Sequence, residues 1–319
     1  MYRNKKILWK IKDIGDTLVI SIKNANHNSV SKVGYPMVAI TFPVHNNKED
    51  TAEFLKSLKK VTYPNYKLII VDDGSNDGTE DIIKKNYPDA ILLRGDGNLW
   101  WSRATNIAIQ KAIDIKADYV LMTDHDTIVN KNFISRLVDV AERNPETITT
   151  SKCYCFNSKR INHIGWKRVG VLRKFKMIGS NEIDYGQYDN IQGLVGTTIS
   201  VLVKTDYFTE IGMMNYKKFP HYYADLDFSY RASRKGYQIL LVPESIIWHK
   251  DSASVKKSVT KKTSFWKTFI FLVSDKRSTK HFPTIKNFYL SYWPFYALPF
   301  LFVGYFKGLF IWCLKNRVR

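Results

Sequence analysis

Short apolar runs alternate with amphipathic stretches from residue 37 onward, and this alternation predicts the fold. Runs at residues 37–42, 67–71 and 119–122 have the length and continuous hydrophobicity of buried parallel strands. Between such runs, stretches such as 46–60 and 104–115 carry apolar residues at helical spacing. Strands and helices in regular alternation predict an α/β protein built on a doubly wound sheet.

The pattern also divides the chain into three parts. Residues 1–36 alternate only weakly, which predicts an N-terminal extension or a peripheral hairpin. Residues 37–250 are predicted to form the main domain, in two halves at 37–130 and 131–250; the second half has scattered glycines and short predicted strands. Residues 251–319, first basic and then aromatic, are predicted to form a C-terminal helical region.

Charge adds a preference for anionic partners. The chain carries 49 Lys and Arg against 29 Asp and Glu, a formal net charge of +20. Such a surface attracts nucleic acid, anionic lipid or phosphorylated substrates, although a solvated basic face is the plainer interpretation. Because the excess lies mostly in the tail, and acidic motifs would repel phosphates, we do not expect a nucleic-acid partner.

The tail itself has the composition of a membrane-surface element. Residues 288–306 hold no charge, yet Pro294, Pro299 and many Tyr and Trp residues argue against a transmembrane span. Basic residues follow at Lys307, Lys315, Arg317 and Arg319, where they would face anionic headgroups. A monotopic element is therefore predicted, with a buried helical pair, an oligomer contact and a membrane span as the alternatives.

Candidate chemistry begins with acids that follow two of the predicted strands. Asp72 and Asp73 follow Val71, and Asp124 and Asp126 follow Thr123. Ligands of doubly wound sheets bind beyond the carboxyl ends of the strands, so these acids fall at the expected place. A carboxylate there can accept a hydrogen bond from a base or a ribose, and a D-x-D pair can ligate one hard cation. Each motif alone also fits an ordinary turn.

Three further residues complete the candidate set. Asp225 or Asp227, at the start of a predicted helix, could take a proton from an acceptor hydroxyl, or could simply favour the helix dipole. His249 could complete a metal site or contact a diphosphate, or could be a structural histidine.

Taken in order, these segments resemble family 2 glycosyltransferases, which have a GT-A fold with a mixed Rossmann-like sheet. Several motifs in one order are far more specific than any one of them. The segments that carry the resemblance are residues 38–46, 71–79, 97–106 and 124–126, Gly193 with Gly196, and residues 224–231 and 243–249.

The resemblance implies a role for each matching residue. Residues 37–130 would be the nucleotide-binding half and 131–250 the acceptor half. Asp73 would face the base, and Asp124 would contact the ribose or a metal-bound water. The full donor-binding set is Pro43, His45, Asn46, Asp72, Asp73, Arg103, Asn106 and Asp124.

The resemblance likewise implies a divalent metal, Mg²⁺ or Mn²⁺, on Asp126, Asp124 and His249. The family's Glu-Asp pair aligns with Ala224 and Asp225, so the Glu is missing here. Asp225 becomes the candidate base, and Asp227 is the fallback. Arg231 would brace the helix, and Gly193, Trp100 and Trp101 would serve the acceptor side or the structure.

The activity implied is an inverting, metal-dependent transfer of a sugar from a UDP- or dTDP-linked donor. The acceptor would be a hydroxyl of a bacterial cell-wall or capsular polysaccharide, or of a polyprenyl-diphosphate-linked chain. The Trp100-Trp101 pair resembles a subgroup that includes rhamnosyltransferases. No signal peptide is visible and the three cysteines fit no disulfide framework, so we expect a cytoplasmic protein, peripheral at the inner face of the membrane, with homo-oligomerisation through the tail as an option.

Other enzyme classes use acids at strand ends as well. A nucleotidyltransferase or another nucleotide-binding α/β enzyme would show a glycine-rich phosphate loop with Lys or Arg near the first strand, and residues 43–47 carry no such signature. A binding-only homologue is disfavoured because Asp124, Asp126 and Asp225 are intact.

Overall fold

The computed structural model describes residues 10–13, 18–21, 34–250 and 265–315. Residues 1–35 and 36–319 are two separate compact units. In the first unit, strands β1 (Lys10–Asp13) and β2 (Leu18–Ser21) pair antiparallel, which corresponds to the hairpin considered for this stretch. The basic residues at 256–262 and the predicted lipid-facing Arg317 and Arg319 lie outside the described residues.

The first half of the second unit is the predicted doubly wound sheet. Strands β3, β4, β5 and β6 are all parallel, in the spatial order β5-β4-β3-β6. Their bounds and those of the intervening helices are β3 (Val38–Val44), α1 (Lys48–Leu58), β4 (Tyr66–Asp72), α2 (Thr79–Asn86), β5 (Ile91–Arg94), α3 (Trp100–Asp114) and β6 (Tyr119–Met122).

Burial on both faces of the sheet explains why its strands are continuous apolar runs. Every residue of β3 is buried. On one face α1 contributes Phe54, whose ring meets Phe42 edge-on with centroids 5.0 Å apart. On the other face α3 packs small residues such as Ala104 and Ala108 against the sheet. The layered core therefore fixes where each strand ends.

The second half extends the same sheet with antiparallel and parallel partners, so that the sheet is mixed, as predicted. Strand β12 runs antiparallel to β6 and is followed in space by β8, β13 and β7. The bounds are β7 (Thr127–Val129), α4 (Phe133–Arg143), β8 (Thr147–Cys155), β9 (Ile161–His163), β10 (Gly165–Val169), β11 (Lys174–Ile178), β12 (Val201–Lys204), α5 (Tyr207–Ile211), α6 (Ala224–Arg234) and β13 (Gln238–His249).

The short strands expected after residue 150 are present as β9 to β12, which have 3 to 5 residues, but β13 has 12 residues because it pairs with the 9-residue β8 along nearly its whole length. One helix differs from its expected bounds. The helix expected at 104–115 begins at Trp100, since the Asp73 carboxylate, distant in sequence, accepts hydrogen bonds from the backbone at its start.

The C-terminal part forms helices α7 (Phe265–Ser274), α8 (Phe282–Tyr292) and α9 (Leu298–Lys315), with a 3₁₀ turn at Phe295–Ala297. The prolines separate these helices. Helix α8 ends before Pro294, and Pro299 is the second residue of α9, where a missing backbone N–H costs nothing. The segment Phe295–Cys313 is long and apolar enough to cross a membrane by length and composition alone.

Helices α7 and α9 have one packed side and one exposed side. Leu272, Leu309 and Cys313 are buried in a small cluster between the helices. On the opposite side large apolar residues are exposed, Phe300 and Val303 by 72% and 68%. We call this surface the apolar outer face; its residues are Trp266, Ile270, Phe295, Phe300, Val303, Phe306 and Phe310.

Candidate active site

The candidate site lies where the chain leaves β3 and β6, the two strands from which the sheet is wound in opposite directions. Ligands of open α/β sheets bind beyond the carboxyl ends of the strands at such a switch point. Here the Asn47 side chain after β3 lies 2.8 Å from Nε2 of His125 after β6. Nδ1 of the same histidine is 3.2 Å from the Pro43 carbonyl, so the two loops are joined across the crevice.

The loop after β3 is also joined to the loop after β4. Nδ1 of His45 lies 2.6 Å from the Asp73 carbonyl, and the Asn46 backbone N–H donates to Oγ of Ser75. Asn46 adopts a left-handed conformation with φ 48°, which asparagine tolerates, and its side chain accepts from the Asn76 N–H. Pro43, His45 and Asn46 therefore shape the wall of the crevice through contacts within the protein.

The two adjacent acids after β4 have different surroundings. Asp73 accepts three backbone hydrogen bonds, from Gly97 on Oδ1 and from Leu99 and Trp100 on Oδ2. Asp72 accepts one, from Ser75 on Oδ1, while its buried Oδ2 has no hydrogen-bond partner within the described part of the chain. The expectation that Asp73 faces the base therefore does not fit this geometry, and Asp72 retains the free acceptor.

The D-x-D pair is held by an indole and lies near a histidine. The Trp101 Nε1–H donates to Oδ1 of Asp124 at 2.8 Å, and Oδ1 of Asp126 is 3.4 Å from Nε2 of His249. Strand β13 pairs His249 with Thr127 of β7, which brings the imidazole to this loop. Burial and the charge of Asp126 together raise the pKa of Asp124 to about 6.

The donor types suit a divalent cation, but they are not assembled as a three-ligand site. Two carboxylates and one imidazole suit a hard or borderline metal, whose charge would relieve the repulsion that raises the Asp124 pKa. Within the described residues, no group of three or more His, Cys, Asp or Glu side chains could hold a metal ion. The predicted ligand set of Asp124, Asp126 and His249 is therefore not preformed, and a cation at this loop would depend on ligands from a diphosphate or water.

The two acids of α6 are clearly distinguished by the structure. Asp225 is exposed on the first turn, while Asp227 is only 3% exposed. Both oxygens of Asp227 are occupied, Oδ2 by Nε of Arg231 at 2.9 Å and Oδ1 by the Tyr292 hydroxyl. Asp227 is therefore unsuited to take a proton, and the fallback role proposed for it does not fit its contacts.

Asp225 is exposed at the start of α6. Desolvation by neighbouring protein atoms raises the pKa of its carboxyl, and the charge of Asp227 acts in the same direction. The segment before α6 lies near the D-x-D loop, because the Trp100 ring contacts His221 while the adjacent Trp101 donates to Asp124.

The remaining candidates have mainly structural contacts. Asn106 forms two 2.9 Å hydrogen bonds with the backbone of Met214, so its amide is not free for a donor. Arg103 is exposed on α3. The Trp100 ring contacts His221, with centroids 5.9 Å apart, and Nζ of Lys276 lies 5.2 Å above it.

Arg231 and the glycines support helix α6 and its neighbours. Arg231 binds the Ile211 and Met213 carbonyls as well as Asp227. Gly193 is exposed, with φ +69°. Gly196 permits a close approach, because a Cβ there would lie 2.5 Å from the Leu226 side chain on α6.

Sequence patterns missed two partners at this site. The bond from Trp101 to Asp124 was not predicted, although Trp101 itself had been singled out for the acceptor side or the structure. Tyr292 had no signal in the sequence, because it lies 65 residues from Asp227 in an aromatic stretch that predicts membrane contact.

Comparisons with known proteins agree with the motif order. Residues 39–204 match the family model described as "Glycosyl transferase family 2". An uncharacterized glycosyltransferase of Rickettsia felis is 26% identical over 183 residues, covering 56% of this chain and 29% of that protein. The poly-beta-1,6-N-acetyl-D-glucosamine synthase of Staphylococcus epidermidis is 28% identical over 116 residues, covering 34% of this chain and 26% of the synthase.

A solved structure shares the fold. The mannosyltransferase PcManGT from Pyrobaculum calidifontis, in complex with GDP-Man and Mn²⁺, gives a TM-score of 0.54 at 16% identity, covering 90% of this chain and 74% of that one. This chain spans less than a third of the length of the two curated relatives.

Asp73→Ala should lower the free energy of unfolding by about 2–4 kcal/mol, because three backbone N–H groups at the start of α3 lose their acceptor. Asp96→Ala is the matched control, since this exposed acid accepts only the Asn98 N–H in the same loop and should cost under about 1 kcal/mol. Urea denaturation measures both. Equal losses in the two variants would contradict the assigned role of Asp73.

The raised pKa of Asp124 predicts a pH dependence of stability in the absence of metal. A carboxyl whose folded-state pKa lies near 6, above the ordinary 3.8, contributes most stability below the lower value and loses this contribution as the pH rises through 6. Wild-type protein should therefore gain more in melting temperature than Asp124→Asn when the pH falls from about 7 to about 5. Thermal scans in chelator test this, and identical pH profiles would refute it.

Proposed function

Because the chain belongs to glycosyl transferase family 2, we propose that it transfers a sugar from a nucleoside-diphosphate donor to an acceptor hydroxyl. The observation that carries the proposal is the pairing of two acidic loops at one crevice, after β4 and β6, with the accessible Asp225 at the start of α6. Because the family is established, we set aside the nucleotidyltransferase and nucleic-acid-binding alternatives.

The donor lies in the crevice between the loops after β3, β4 and β6. The buried Oδ2 of Asp72 supplies an acceptor for a base or ribose donor group, because a buried carboxylate oxygen without a partner is costly. We assign a UDP- or dTDP-linked sugar to this crevice. The structural neighbour with the same fold binds GDP-Man, which supports a nucleotide sugar as the donor class.

Asp126, Asp124 and His249 would hold a divalent metal, Mn²⁺ or Mg²⁺, together with ligands from the donor. The neighbour with Mn²⁺ supports this assignment, as do the carboxylate and imidazole donor types. Such a cation would offset negative charge on the leaving diphosphate. Trp101 keeps Asp124 in place through its indole N–H.

The transfer proceeds by a single displacement with inversion. Asp225 accepts the proton of the acceptor hydroxyl while that oxygen attacks the anomeric carbon, and the bond from this carbon to the diphosphate oxygen breaks. The raised pKa of Asp225 makes it a stronger base than an ordinary aspartate. Ala224, which is fully buried, stands where the resemblance to the family places a Glu, so Asp225 acts without a neighbouring carboxylate at that position.

The acceptor is a bacterial cell-surface polysaccharide, or a growing chain on a polyprenyl diphosphate. The named synthase among the relatives supports a polysaccharide product. The apolar outer face supports work at a membrane, because a soluble monomer rarely exposes so many large apolar side chains in one region. We place the protein in the cytoplasm, peripheral at the inner face of the membrane.

Asp225→Asn should reduce the turnover number between about 10²- and 10⁴-fold, since the amide cannot accept the proton. Calorimetric binding of the nucleotide sugar with Mn²⁺ should be unchanged. Asp206→Asn, which alters an exposed acid at the start of α5, is the matched control and should retain full transfer. Full transfer by Asp225→Asn would move the base elsewhere, and failure of every nucleotide sugar to bind with any metal would overturn the proposed function.

The triple variant Phe300→Ser, Val303→Ser and Phe310→Ser should lose most binding to phosphatidylglycerol vesicles, because it removes exposed apolar area from α9. The control Val171→Ser changes an apolar side chain that is 98% exposed on the hairpin of β10 and β11, and it should float with vesicles as wild type does. Unchanged vesicle binding by the triple variant would contradict membrane docking through this face. A lipid-free dimer that the triple variant dissociates would identify the face as a subunit contact instead.

A further inference from the structure

We propose that Tyr292, on the C-terminal helix α8, is a positioning residue for the transfer reaction. This inference rests on the proposed function of Asp225 as the base. Tyr292 lies 88 residues beyond the end of the family match at residue 204 and contacts no predicted donor residue. Its role is to hold helix α6, and therefore Asp225, in a fixed orientation.

The first contact is the hydroxyl of Tyr292 with the buried carboxylate of Asp227. Asp227 lies two residues after Asp225 on the same turn of α6, and its second oxygen is bound by Arg231. Arg231 in turn binds the Met213 carbonyl at 2.7 Å. Asp227 is therefore fixed from two sides, by the loop after α5 through Arg231 and by α8 through Tyr292.

A second contact lies on the other side of Asp225. The ring of Phe288, also on α8, packs against the ring of Tyr223 with centroids 4.7 Å apart. Tyr223 precedes α6 and adopts a left-handed conformation with φ 69°, which is uncommon for a residue with a large side chain. Helix α8 therefore touches the chain at residues 223 and 227, on both sides of the base.

Tyr292 is itself held firmly. Its carbonyl accepts a hydrogen bond from Nη2 of Arg168 at 3.2 Å, and its ring meets Tyr230 of α6 edge-on at 5.1 Å. The Arg168 guanidinium lies over the rings of Phe175 and Trp293, at 4.3 and 5.0 Å from their centroids. Burial and the bond to Asp227 raise the pKa of Tyr292, so the phenol remains a hydrogen-bond donor.

The contacts of α8 with Tyr223 and Asp227 affect catalysis because a general base acts only at hydrogen-bond distance from the proton that it takes. A shift of about 1 Å in a positioned group can reduce turnover by about 10²-fold. Removing the Tyr292 hydroxyl leaves one oxygen of Asp227 without a donor inside the protein. We expect the first turn of α6 to move in response, while the donor crevice on the other elements keeps its shape.

The test is Tyr292→Phe, with Tyr305→Phe as the matched control. Tyr305 also lies in the C-terminal helices, and its hydroxyl donates to the Lys280 carbonyl at 2.6 Å rather than to a side chain of α6. Tyr292→Phe should lower kcat by about tenfold or more, with KM and Kd for the donor unchanged. Tyr305→Phe should keep the wild-type kcat.

A measurement independent of turnover completes the test. Amide hydrogen exchange in residues 223–231 should be faster in Tyr292→Phe than in Tyr305→Phe, because only the first variant releases α6. The variant Phe288→Leu, which trims the second contact, should show the same loss of kcat at constant KM. Combining Tyr292→Phe with Asp227→Asn should lower kcat no further than the worse single change, since both remove one interaction.

The outcomes separate the two proposals. An active wild type with equal kcat and equal exchange in Tyr292→Phe and Tyr305→Phe would overturn the positioning role and leave the transferase assignment intact. Fully additive losses in the double variant would overturn it as well. A wild type that binds no nucleotide sugar would overturn the proposed function, while faster exchange at 223–231 in Tyr292→Phe would still support the contacts of α8 with Tyr223 and Asp227.

Discussion

Several carboxylates meet at one end of one sheet, and each must be neutralised by a hydrogen-bond donor or a cation. For most of these carboxylates, groups of the protein itself supply the hydrogen-bond donors. Asp73 binds backbone amides, Asp124 an indole N–H, and Asp227 a guanidinium and a phenol. Asp72 and Asp225 can still accept hydrogen bonds from a ligand. Within the described residues the buried Oδ2 of Asp72 has no hydrogen-bond partner, and the Asp225 side chain is exposed. Where the protein leaves acids unsatisfied, ligands have a place to bind.

The layered fold could be predicted from the sequence because strands that are buried on both faces are continuous apolar runs. Residues 38–44 are all buried, and a strand in that situation must be apolar throughout. Helix α1 (Lys48–Leu58) likewise lies within the stretch 46–60, whose apolar residues recur at helical spacing. The order of the acidic motifs then followed from their positions after successive strands.

The details of the site could not be predicted, because they depend on contacts between distant segments. The adjacent residues Asp72 and Asp73 cannot be distinguished in the sequence. In the structure only the Asp73 side chain accepts a hydrogen bond from the backbone N–H of Gly97. Asp225 and Asp227 likewise differ only through Arg231 and Tyr292. In the tail, the prolines were taken as evidence against a transmembrane span over residues 288–306, and in the structure Pro294 separates α8 from α9 while Pro299 occupies the first turn of α9, where it is tolerated.

Helix α8 belongs with the main domain, although it follows the last strand of the main sheet. A division after β13, at His249, would follow both the motif boundaries and the end of the main sheet. It would also remove the residues that contact Tyr223 and Asp227 around the base. Since α8 leads directly into the helix with the apolar outer face, the surface proposed to meet lipid and the helix proposed to position Asp225 are continuous parts of one chain. If both proposals hold, a change in how the tail sits at a bilayer has a short path through α8 to the start of α6.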